Sequence, residues 1–148
     1  MSFTYQYPRP AVTTDIIVIS NSNKPKILLI KRLHEPYKDF WALPGGFVDK
    51  NEDLITAAYR ELKEETSIEK VDLKQFKTYG TPNRDPRGHT VSVIFWGDVD
   101  ENISFKAGDD AANAQWFFID KLPELAFDHK LIINEFQKLI ANGLIINT

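Results

Sequence analysis

Three glutamates crowd one short stretch, Arg60-Glu61-Leu62-Lys63-Glu64-Glu65. Carboxylates brought together repel one another and lose solvation, which costs several kcal/mol per ion unless something compensates. Their hard oxygens suit Mg2+ or Mn2+. A divalent cation held this way can shield phosphate oxygens and activate water. Arg60 precedes Glu64 by one helical turn and can hold that carboxylate in one orientation. Arg84 and Arg87 place two planar cations in the loop Thr81-Pro82-Asn83-Arg84-Asp85-Pro86-Arg87-Gly88-His89, a fork geometry suited to a diphosphate.

The glutamates need a scaffold that aims them. Residues 50–68 contain no proline, and Leu54, Ala57, Ala58, Arg60, Glu61, Leu62 and Lys63 favour helix. Asp49 is the expected cap, with Glu52 three residues on completing a capping-box pattern. Helical spacing puts Leu54, Ala57 and Ala58 on one side. Glu61, Glu64 and Glu65 continue that side, with Leu62 at its edge and Thr56, Tyr59 and Lys63 opposite. An isolated acidic helix is usually a solvated face. Here the acids follow an apolar stripe, and the Gly45-Gly46 pair before the helix permits close backbone approach. Glu52 falls on the far side and is expected to pair with Arg60 or Lys63.

Gly46, Glu52 and the run Arg60-Glu61-Leu62-Lys63-Glu64-Glu65-Thr66-Ser67-Ile68 resemble the Nudix box. Ser67 departs from it, standing where that family usually has the glycine that ends the helix in a left-handed conformation. The resemblance implies an α/β/α sandwich around a mixed sheet. It also implies metal contacts from Glu61, Glu64, Glu65 and the Gly46 carbonyl. The reaction it implies is hydrolysis of a nucleoside diphosphate linked to a second group. Glu64, or an acid of the 101–113 loop such as Asp109 or Asp110, would be the base, and Arg60 would orient it. The Arg84–Val93 stretch, Leu125-Ala126-Phe127-Asp128-His129 and Pro82 are similar to the ADP-ribose pyrophosphatase subgroup, whose products would be AMP and ribose 5-phosphate. Another pyrophosphatase acting on NADH, Ap4A or an oxidised dNTP is the alternative. A sensor that binds ADP-ribose without cleaving it is a third reading. Such regulators add a winged helix, and the chain here stops at Thr148 and keeps the box acids.

Composition agrees with a small-molecule enzyme. The chain has 148 residues, 43% hydrophobic and 12% aromatic, with a formal net charge of −3. That size is expected to make one domain with a real core, and the charge gives no reason to expect nucleic-acid binding. There is no cysteine, which removes disulfides and Cys-zinc sites and fits a cytoplasmic location. Neither a membrane span nor a signal peptide is expected.

Residues 2–10 are aromatic and proline-rich and read as an extended arm. Tyr5, Tyr7 or Arg9 in that arm is a candidate to meet a substrate base or a second subunit of a homodimer. Strands are expected at 11–20 and 26–32 as a hairpin, with Arg32 at its end a further candidate substrate contact. More strands are expected at 40–44, 76–79, 90–99 and 114–119, and a second helix over 127–139. His34 is expected to be solvated, and His129 to cap or pack the second helix.

Overall fold

The computed structural model describes residues 2–109 and 111–143; Asp110 lies outside the described residues. The β-branched runs form three of the sheet's strands, β1 (Ala11–Ser20), β2 (Lys26–Arg32) and β6 (Thr90–Val99). Around them lie β3 (Trp41–Ala42), β4 (Gly45–Phe47), helix α1 (Leu54–Thr66), β5 (Lys74–Tyr79), β7 (Ala111–Phe118) and helix α2 (His129–Ala141). The order β3-β2-β1-β6-β5 makes a mixed sheet, because β1 runs parallel to β6 and antiparallel to β2.

The two faces of β1 carry two cores. Ile16 and Val18 pack with Ala58 and Leu62 of α1. Ile17 and Ile19 pack with Ile132, Ile133 and Phe136 of α2. Period-two alternation along the strand thus serves a helix on either side, and the α/β/α sandwich follows. Both faces of β6 are covered for the same reason, with Phe95 beneath α1 and Ile94 beneath α2. Among the described residues no helix is long and apolar enough to cross a membrane.

One irregularity of the sheet makes the site. β1 and β2 meet only at their hairpin end, Ile19 opposite Ile27. Beyond it they part. The start of β1 pairs instead with β4, Asp15 opposite Gly45 and Thr14 opposite Gly46. The far end of β2 pairs with β3, while β7 lies along the whole of β2. A cleft opens in the fork between them.

The start of α1 needs correction. The helix begins at Leu54 with Asp53 in the cap position, not at Asp49. Asn51 has φ +59°, so the chain turns there before the helix begins. The Asp49 N–H still donates to Glu52 Oε1 at 2.9 Å, so the reciprocal bond of the box pattern closes a loop instead. Tyr59 also differs from expectation: it packs on the α1-side core and its hydroxyl accepts from the Leu73 N–H at 3.0 Å. At the other end Ser67 is left-handed, φ 67° and ψ 5°, and its N–H caps Lys63 O at 2.9 Å.

Candidate active site

The cleft is lined from one side by Asp15, Gly45, Gly46 and Glu65, and from the other by Arg32, Arg84, Arg87, Phe127 and His129. Carboxylates and guanidiniums therefore face a common space of about 100 Å³.

α1 contributes its acids unequally. Glu65 turns inward and its Oε2 accepts from the Gly45 N–H at 3.1 Å. Burial pushes its carboxyl up to about 8. Glu61 is also turned inward, 12% exposed, and burial raises its carboxyl too, against the pull of Arg60. A Cβ on Gly46 would lie 2.6 Å from both Glu61 carboxylate oxygens, so only glycine lets β4 approach this closely. Glu64 is turned away. Its side chain is 58% exposed and sits 3.3 Å from Arg60 Nη1.

Arg60 ties the acidic face together. Its Nε donates to Glu52 Oε2 at 2.7 Å, Nη1 to Glu61 Oε1 at 2.8 Å, and Nη2 to Phe47 O at 3.0 Å. Glu52 is thereby the structural partner of Arg60; Lys63 pairs with Glu69.

The two loop arginines have different work. Arg84 is 6% exposed and its fork is committed to Asp128, with Nη1 donating to Ser92 Oγ at 2.7 Å. Arg87 is more open. It bonds Asp85 through Nε and Nη2 and stacks between the rings of Phe47 and Phe127, at 4.8 and 5.1 Å. Arg32 stacks on Phe127 at 4.9 Å, and its Nε donates to Pro36 O at 2.7 Å. Phe127 holds a left-handed backbone, φ 52°, uncommon for an aromatic residue and found most often at sites that need a side chain aimed.

Tyr7 is 71% exposed and is not in the cleft wall. Asp109 is exposed, but its neighbour Gly108 donates its N–H to Glu65 O at 3.0 Å, which fastens that loop to the end of α1.

Asp15 and Phe47 were not singled out in the sequence, and Phe127 and His129 entered only within the Leu125–His129 stretch, His129 as a cap or packing residue; all four line the cleft. Asp15 had a signal, being an acid inside a β-branched strand. It is 8% exposed, and burial pushes its carboxyl up to about 7.

The donor set fits a hard divalent cation. Glu61 and Glu65 offer desolvated carboxylate oxygens that lie together against the β4 backbone, and burial makes their charge costly without a cation. No group of three metal-binding side chains is preassembled among the described residues, so a third protein oxygen would come from Glu64 by rotation away from Arg60, or from the backbone.

A model of the NUDIX domain matches residues 9–136. An ADP-ribose pyrophosphatase of Methanocaldococcus jannaschii is 45% identical over 132 residues, covering 89% of this chain and 76% of that protein. An ADPR responsive transcriptional repressor, NtrR, of Acinetobacter baylyi is 34% identical over 134 residues, and the match covers 87% of this chain but only 54% of the repressor. Among solved structures, the NUDIX domain of Shewanella oneidensis NrtR complexed with ADP ribose superposes with a TM-score of 0.82 at 26% identity, covering 90% of each chain. A MutT/nudix family protein from Enterococcus faecalis superposes with a TM-score of 0.80 at 30% identity, over 95% of this chain and 66% of the other.

Proposed function

The chain belongs to the NUDIX domain family, and on that footing we propose that it hydrolyses ADP-ribose to AMP and ribose 5-phosphate in a Mg2+-dependent reaction. The observation that carries the proposal is the two-sided cleft, with Glu65 on one wall, the inward-turned Glu61 beside it against Gly46, and Arg32 and Arg87 on the other. A diphosphate needs both: cations for its oxygens, and acids that hold a metal beside it.

Mg2+, or Mn2+ in its place, would be held by Glu61, Glu65, Glu64 and the Gly46 carbonyl, and when bound supplies charge neutralisation and a more acidic water. Arg60 holds Glu61 at 2.8 Å and Glu64 more loosely at 3.3 to 3.4 Å. Glu64, exposed on the helix surface, is the candidate to take a proton from the attacking water. Arg32 keeps its two terminal nitrogens for substrate, since only Nε is committed to the backbone. Arg87 presents its remaining N–H groups with the guanidinium plane clamped between two rings. Arg84 acts through Asp128, which it holds at the cleft wall. The Phe47 and Phe127 rings give a base or ribose a flat apolar surface, a role the exposed arm with Tyr7 does not serve in this conformation. Asp109 is a second candidate base, brought near Glu65 by the Gly108 bond.

Initial rates on ADP-ribose, NADH, Ap4A and 8-oxo-dGTP with Mg2+ test the substrate. ADP-ribose is expected to have the highest kcat/KM; equal or slower turnover would remove it as the substrate. The 34% identity to a transcriptional repressor favours one second reading, ADP-ribose sensing without cleavage. Tight ADP-ribose binding with no hydrolysis in Mg2+ would establish that reading instead.

A further inference from the structure

His129 opens α2 at the cleft wall and is 4% exposed. Its Nδ1 accepts a hydrogen bond from the Leu43 N–H at 3.0 Å. A ring nitrogen that accepts carries no proton, so the neutral imidazole keeps its proton on Nε2. The ring is neutral because burial pushes it down to about 4; the charges of Arg84 and Arg32 act the same way, and those of Asp128 and Asp85 oppose them. The bond from Leu43 is the one hydrogen bond the ring makes among the described residues. That leaves the Nε2–H without a protein acceptor at the cleft wall, where water or a ligand can take the bond.

The ring is also held still. The Arg84–Asp128 pair anchors the residue before it, and the Phe127 ring lies 5.5 Å away on one side. The Ala126 N–H donates to Trp41 O at 2.8 Å, which fixes the turn to β3. A fixed, neutral, single-tautomer donor at the cleft wall gives direction without adding charge, something the cationic forks of Arg32 and Arg87 do not provide. A site built around such a donor rejects molecules that lack the matching acceptor.

We propose that His129 contacts substrate directly, its Nε2–H donating a hydrogen bond to an oxygen of the bound nucleoside diphosphate derivative. This rests on the hydrolase reading above. The test uses wild-type protein with 15N-labelled histidine, in Mg2+, titrated with the non-hydrolysable analogue α,β-methylene ADP-ribose. Binding is followed in parallel by calorimetry. The free protein should show the Nε2–H tautomer, and the Nε2–H resonance should shift downfield and exchange more slowly at saturation. Heat of binding with an unmoved Nε2–H, or an Nδ1–H tautomer, overturns this inference alone. No binding at all overturns it together with the substrate reading. His129→Asn supplies a second readout, because its amide oxygen can replace Nδ1 as the acceptor for Leu43 while nothing replaces the Nε2–H. Its KM for ADP-ribose should rise at least tenfold, and a wild-type KM would contradict the contact. His129→Gln does the reverse, placing an N–H near Nε2, and should lie closer to wild type in KM than the asparagine variant; the opposite order would count against the contact.

Discussion

Arg84 grips Asp128 with a two-pronged hydrogen bond, Nε to Oδ2 at 2.8 Å and Nη2 to Oδ1 at 2.7 Å. The pair joins the loop before β6 to the residue that precedes α2. It is a desolvated clamp with both side chains largely out of water, 6% and 20% exposed.

Removing one partner of such a pair strands the other charge. Arg84→Ala should lower unfolding stability by about 3 kcal/mol or more, and raise KM because Asp128 and the His129 ring lose their anchor. Arg84→Lys should recover little, since an ammonium cannot make the two-pronged contact. Urea denaturation measures the first effect; a stability within experimental error of wild type would put Arg84 on the solvent side of the cleft.

His129 sets a pH dependence whose sign is fixed. Its folded-state value, about 4, lies below the usual 6.5. Between those values the unfolded chain takes up a proton that the folded chain refuses. The contribution is therefore fully present above pH 6.5 and is lost as the pH falls toward 4, amounting to about 3 kcal/mol over the window. Asp15, raised to about 7, and Glu65, raised to about 8, run the opposite way, as does Glu61, so the wild-type curve alone mixes these contributions. The difference between wild type and His129→Asn isolates histidine. Wild type should lose stability relative to the variant from pH 7 to pH 4.5, and parallel curves would contradict the buried neutral ring.

Ser67 holds a left-handed backbone at the end of α1. That conformation costs a non-glycine residue on the order of 1 kcal/mol. Ser67→Gly should recover roughly that amount with kcat unchanged, since the Ser67 backbone caps the helix and its side chain does not line the cleft. Thermal unfolding checks it, and a lowered midpoint would mean the serine hydroxyl contributes something the geometry does not reveal.

Much of the fold was legible because its strands are long and β-branched and both helices carry an apolar stripe. Helix α1 could be read from spacing, and its left-handed end at Ser67 from the resemblance to the Nudix box. The helix start could not, because Asn51 turns the chain at positive φ and moves the cap from Asp49 to Asp53. The acidic face was read one residue too generously. Ideal spacing places Glu64 with Glu61 and Glu65, but Arg60 draws it outward along the helix surface. The rest of the cleft wall was hidden for a different reason. Asp15, Phe47 and the Phe127–His129 turn come from three segments that meet only because β1 and β2 part after one pair. Local periodicity carries no trace of that fork.

Glu65 is the α1 acid that lines the cleft, and Glu65→Gln should lower kcat at least ~100-fold with folding intact, the scale expected when a metal ligand is lost. Steady-state kinetics in Mg2+ with far-UV circular dichroism decides it. Near-normal kcat in a folded variant would take Glu65 out of the chemistry.

Mn2+ binding, read by loss of the free-ion electron paramagnetic resonance signal, tests the centre of the account without relying on turnover. Wild-type protein should bind Mn2+, and Glu61→Gln and Glu65→Gln should each weaken that binding by tenfold or more. Binding of the same strength in both variants would show that the inward-turned glutamates of α1 do not hold the metal.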